Sequence, residues 1–142
     1  MRPTQYYPLL QTDDVPGTAQ FYRQHFGFKA MFESDWYVHL QSAQTPSVNL
    51  AILQQDHETI PEEARGVSRG VILTLEVEDV DAEDARLQRE GVAVVHALRS
   101  EPHGQRHAIY RGPDGIMIDV VTPIPPSAEF LADYAPEAVP VG

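Results

Sequence analysis

Apolar and polar residues alternate with a period of two along several short stretches of the chain. Such alternation predicts β-strands buried on one face. In the first half the stretches are 28–32, 36–41 and 48–54; in the second they are 71–77, 92–98, 106–111 and 116–122. A further strand is expected around Tyr7, Leu9 and Gln11. The period lengthens in two places. Val15, Ala19, Tyr22 and Phe26 recur at helical spacing, and Val80 and Leu87 anchor a second, more polar helix. Asp14 and Asp79 stand where N-caps belong, Pro16 suits a first turn, and Gly27 and Gly91 suit helix ends.

The pattern repeats. Asp14-Val15 and Asp79-Val80 lie 65 positions apart, as do Tyr7 and Ile72, and Gly27 and Gly91 lie 64 apart. The element order is therefore βαβββ twice, an α+β chain with module one at 5–56, a polar connector at 57–69, module two at 70–123 and a tail at 124–142. We read the whole as a single domain. Residues 127–135 predict one short helix in an otherwise loose tail, and Gly112-Pro113-Asp114-Gly115 reads as a hairpin turn with positive φ at Gly115.

Strand parity separates two faces. Val71, Leu73, Leu75 and Val77 form a uniformly apolar face, while Ile72, Thr74 and Glu76 form a mixed one. The mixed sets elsewhere are Tyr37, His39 and Gln41; Asn49, Ala51 and Leu53; and Met117, Asp119 and Val121. Parity groups Trp36 with the core-facing Val38 and Leu40. A concave surface of aromatic, aliphatic and a few polar groups suits a small molecule. The candidate ligand-binding residues are Tyr7, Leu9, Tyr37, His39, Asn49, Ala51, Ile72, Thr74, Met117 and Asp119. The competing reading is a solvent-facing open sheet.

Composition narrows the classes. The 142 residues carry a formal net charge of −11 and no cysteine. Acidity argues against a nucleic-acid partner. The missing thiols exclude disulfides, thiolate zinc sites and cysteine nucleophiles. No apolar run approaches the roughly 18 residues of a membrane span, and the N-terminal stretch lacks the apolar core of a signal peptide, so we expect a cytoplasmic chain with no membrane partner. No phosphate loop, nucleophile elbow or His-Glu zinc motif is present.

Several stretches carry a family resemblance: the paired modules, the DDV…FY…HFGF run at 13–28, EVEDVDA at 76–82 and YRGPDGIMIDV at 110–120. Together they resemble the vicinal oxygen chelate superfamily, which includes glyoxalase I, extradiol dioxygenases and bleomycin-binding resistance proteins. The resemblance implies a glyoxalase-like fold in which the modules curl into cups, and a homodimer. It places the metal ligands of metal-dependent members at Tyr7, Ala51, Ile72 and Asp119. Alanine and isoleucine cannot ligate a cation, and tyrosine ligates poorly near neutrality. The expectation is therefore no metal and no cofactor: a metal-independent binder of a small molecule, a cationic antibiotic or metabolite, as in the resistance branch. The alternative is a divalent-metal lyase, isomerase or dioxygenase with an atypical site. In that reading His39 and Asp119 are the parity-supported ligands; the competing reading of each histidine, His25, His39, His57, His96, His103 and His107, is a surface or hydrogen-bonded residue. A third reading is an interaction module whose cup is filled by Tyr7, Leu9 and Ile72. No catalytic residue is assigned.

Overall fold

A computed structural model describes residues 1–142. The chain forms two compact units, Met1–Gly70 and Val71–Gly142. Unit one contains β1 (Leu9–Thr12), α1 (Val15–Phe26), β2 (Phe28–Glu33), β3 (Tyr37–Ser42) and β4 (Asn49–Gln54). Unit two contains β5 (Ile72–Glu76), α2 (Val80–Arg89), β6 (Val94–Glu101), β7 (Gln105–Arg111), β8 (Met117–Pro123) and the short α3 (Ala128–Leu131). Each unit has a four-stranded sheet with the same plan: β1-β4-β3-β2 in one, β5-β8-β7-β6 in the other. The first strand of each runs parallel to the fourth, and the other pairs are antiparallel. This is the duplicated βαβββ order read from the repeat.

The helices start and stop where their sequences direct. Asp14 Oδ1 accepts from the Gly17 amide at 3.0 Å, and Asp79 Oδ1 accepts from Ala82 at 3.1 Å. Gly27 ends α1 at φ 69°, a left-handed turn that a side chain resists. Val15, Thr18, Ala19 and Tyr22 bury one face of α1 in the unit, as Val80, Asp84 and Leu87 do for α2. Replacing Asp14 by alanine removes an acceptor from an orphan amide. Stability should fall by about 1 kcal/mol in urea denaturation, with no change in the far-ultraviolet circular dichroism of the folded chain.

Each sheet turns one strand parity inward. Val38, Leu40, Leu50 and Ile52 are buried in unit one, and Ala108, Tyr110, Ile118 and Val120 in unit two. β4 is central and buried on both faces, so Asn49, Ala51 and Leu53 are enclosed as well.

Three local expectations are corrected. The first strand begins at Leu9, so Tyr7 lies just ahead of it. Trp36 precedes β3, is partly exposed and stacks on His57 with ring centroids 4.2 Å apart and planes 8° apart, rather than entering the core. β6 extends to Glu101 and breaks register against β7 twice, between Val94 and His96 and between His96 and Arg99.

The polar connector, and the tail read as loose, are both held by hydrogen bonds. The connector lines the free edge of β1. Gln11 and Ser68 exchange bonds (Gln11 N to Ser68 Oγ 2.8 Å, Ser68 N to Gln11 O 3.0 Å), and the Gln11 side chain donates to the carbonyls of Ala64 and Gly66. An edge strand covered this way no longer offers its backbone to other chains. In the tail, Tyr134 Oη donates to the His103 carbonyl at 2.5 Å and Ser127 N to Pro102 O at 2.8 Å. The turn after Pro113 places Asp114 as well as Gly115 at positive φ, 61° and 74°. No helix is long and apolar enough to cross a membrane.

Candidate functional site

In unit one the mixed parity builds a patch along a cross-strand row. Leu9 pairs with Ala51, and Ala51 with His39. Tyr37 lies two residues before His39 on β3, and Asn49 pairs with Gln41. The Tyr7 ring meets the His39 ring edge-on, centroids 4.7 Å apart. Burial, and behind it the neighbouring Tyr7 hydroxyl, raises the Tyr37 phenol above its ordinary range.

Asn49 fixes the imidazole of His39. Its Nδ2 donates to the Pro46 carbonyl at 3.0 Å, which makes Oδ1 the acceptor 3.0 Å from His39 Nε2. His39 therefore carries hydrogen on Nε2 and turns Nδ1 into its acceptor. Of the sequence candidates, Tyr7, Leu9, Tyr37 and His39 present surface here. Asn49 and Ala51 lie beneath, Ala51 at 0% exposure, and act by position.

In unit two, Ile72 pairs with Met117 and Thr74 with Asp119. The Asp119 row continues through Ile109 to His96. Thus Ile72, Thr74, Met117 and Asp119 do share one face, and Ile72 is 58% exposed on it.

Asp119 does not stand alone. Its Oδ1 accepts from His107 Nδ1 at 2.8 Å, and the other ring nitrogen, Nε2, lies 3.3 Å from Glu101 Oε1. Arg99 closes the chain of contacts by pairing with Glu101. Chiefly the Arg99 guanidinium, and then the His107 imidazole, hold the Glu101 carboxyl down to about 2. His96 stacks at a tilt on His107, centroids 5.1 Å apart. Strand parity could have found His107, because counting back from the Gly112–Gly115 turn sets it diagonal to Asp119. It could not have found His96 or Glu101, since the two register shifts in β6 move them.

The positions where the resemblance expects metal ligands do not fit a cation. Ala51 has no donor atom and is sealed in β4, Ile72 is an exposed hydrocarbon, and the Asp119 carboxylate is engaged by His107. No reaction step is assigned to a metal at those four positions.

The βαβββ repeat and these faces can be set beside known proteins. The family model for the Glyoxalase/Bleomycin resistance protein/Dioxygenase superfamily matches residues 5–120. No curated protein matches the chain. Among solved structures, a lactoylglutathione lyase from Agrobacterium tumefaciens is 19% identical with a TM-score of 0.67, over 86% of this chain and 96% of that one. TioX from Micromonospora sp. ML1 is 16% identical with a TM-score of 0.71, over 86% and 100%. A glyoxalase/bleomycin resistance protein/dioxygenase from Nocardioides is 21% identical with a TM-score of 0.71, over 87% and 85%. At these identities the likeness is one of fold. With the family model spanning both modules, the chain belongs to the Glyoxalase/Bleomycin resistance protein/Dioxygenase superfamily.

Proposed function

We propose that the chain binds a small organic molecule carrying a cationic group, as a homodimer, and does so without a metal at positions 7, 51, 72 and 119. The observation that carries this reading is the chemistry at those positions: a tyrosine, a sealed alanine, an exposed isoleucine and a carboxylate already taken by histidine. In unit one the residues beside positions 7 and 51 suit recognition. Tyr7, Tyr37 and His39 supply aromatic faces and a fixed ring acceptor. Aromatic faces attract a cation, and a net charge of −11 raises its local concentration. Exposed Leu9 in unit one, and separately exposed Ile72 in unit two, each add apolar surface that a ligand or a second copy of the chain would cover.

Calorimetric titration of chelator-treated, untagged protein with a bleomycin-type glycopeptide tests the reading. Saturable binding is expected. His39→Ala should weaken it about tenfold, the worth of about 1.4 kcal/mol, while the urea midpoint stays put. Sedimentation should show a dimer. Binding that vanishes on chelation and returns with added metal would overturn the reading in favour of a metal-dependent lyase, isomerase or dioxygenase.

A further inference from the structure

We propose that the second sheet holds a divalent transition-metal ion between His96, Glu101 and His107, on β6 and β7 and apart from the four positions tested above. Each of the three offers a ligand atom, and these atoms all lie within 4.8 Å of one another.

The hydrogen bonds set the ring tautomers. His107 Nδ1 faces a carboxylate oxygen of Asp119 at 2.8 Å; a carboxylate accepts, so Nδ1 carries a hydrogen and Nε2 is the nitrogen left to serve Glu101 or an ion. Nε2 faces Glu101 Oε1, a second acceptor, at 3.3 Å. What joins that nitrogen and that oxygen is a proton donated to Glu101 or, in its place, a metal ion. His96 repeats the arrangement: its Nδ1 lies 3.1 Å from the Ala97 carbonyl, which fixes the hydrogen there and leaves Nε2 to ligate.

Two imidazole Nε2 atoms and one carboxylate form the ligand set that zinc and ferrous ions take when a coordination position stays open. Imidazole ligands disfavour magnesium and calcium. Asp119 completes the carboxylate–histidine–metal relay as the positioning residue behind His107.

The distances need closing. Metal bonds of about 2.1 Å set tetrahedral ligands about 3.4 Å apart, so the widest separation must shrink by roughly 1.4 Å. His96 can supply this, because it sits between two register shifts where the ladder is already interrupted. Arg99 is the competitor. It now neutralises Glu101, and its side chain is 62% exposed, so a metal displaces it into water at little cost.

The inference goes beyond the ligand-binding reading, and either can fail alone, because ion uptake is measured with no organic molecule present. Untagged full-length protein, stripped by chelator, is titrated with Zn²⁺ by calorimetry and with Co²⁺ by visible absorption. One equivalent should bind, with Co²⁺ bands of four- or five-coordinate intensity. His96→Ala and Glu101→Gln should each weaken Zn²⁺ at least tenfold. Asp119→Asn should weaken it about ten- to a hundredfold, and Arg99→Met should tighten it. Circular dichroism and the urea midpoint verify that each variant is folded. The proposal is overturned if no stoichiometric uptake occurs. It is overturned equally if uptake is unchanged in His96→Ala and Glu101→Gln, the mark of scattered surface histidines. It also fails if the His107 ring resonances ignore Zn²⁺, the mark of a proton alone beside Glu101.

Discussion

Leu40→Ala should destabilise the chain by about 2–5 kcal/mol, the range for deleting a large buried aliphatic side chain without collapse of the space it leaves. Leu40 is wholly buried on β3, directly opposite Leu50 of β4, with Val38 and Ile52 also buried on the same parity. The neighbouring parity on the same strand carries Tyr37 and His39, which are only half-buried. The two faces should therefore respond differently. Ile72→Ala, at a position 58% exposed, should cost no more than about 0.5 kcal/mol, as surface substitutions do. Urea denaturation of both variants measures the contrast through the midpoint at constant slope. Equal losses would mean that the mixed face is packed as core, which would also remove it as a ligand surface.

Tyr110→Phe should cost about 3 kcal/mol, because it strips a hydrogen bond from a buried carboxylate. Tyr110 is wholly buried on β7 and donates from Oη to Asp84 Oδ1 at 2.5 Å. Asp84 occupies a core position of α2 between Val80 and Leu87, and its other oxygen accepts from Gln88 Nε2 at 2.8 Å. Removing the tyrosine hydroxyl leaves that acceptor short of a partner, where water does not reach freely. Replacing both residues together, as Asp84→Leu with Tyr110→Phe, should recover much of the loss, since no polar group is then stranded. A double-mutant cycle in urea checks this, and additive losses would refute the coupling.

The same pair predicts a pH dependence. Burial first, and then the Asp84 carboxylate, push the Tyr110 phenol well above its ordinary value of 10; Glu83 adds to the rise and Arg86 opposes it. The folded state thus holds a proton that the unfolded chain releases near pH 10. The associated stability is complete below pH 10 and is lost as pH rises beyond it. Stability of the wild type should fall more steeply above pH 10 than that of Tyr110→Phe, whereas the two slopes should match below pH 9.

Much of the fold was legible because its signals are local. The Asp caps, the Gly after each helix and the period-two stretches need only a few neighbouring residues to act, and each element formed within a few positions of its expected range. Legibility failed where a side chain answers to a distant partner. Trp36 follows the core parity of its strand in sequence, yet the chain is not extended there, and His57 offers a flat ring to stack on. Gln11 reads as a polar strand residue; only the returning connector reveals it as the group that seals an edge. Asp84 reads as a solvated helix residue until Tyr110 arrives from β7.

The candidate site divides in the same way. The sequence by itself determined the duplicated βαβββ plan and the two faces of each sheet, since local periodicity and strand parity suffice for both, and the family resemblance singled out 7, 51 and 72, where residue identity alone leaves a poor ligand and two non-ligands. Only the tertiary structure decided that Asp119 is paired with His107, and that His96 and Glu101 close on the same ring. The physical reason lies in β6. Two breaks in its register shift every later side chain along the sheet, and a strand's pattern carries no record of where its partner will slip.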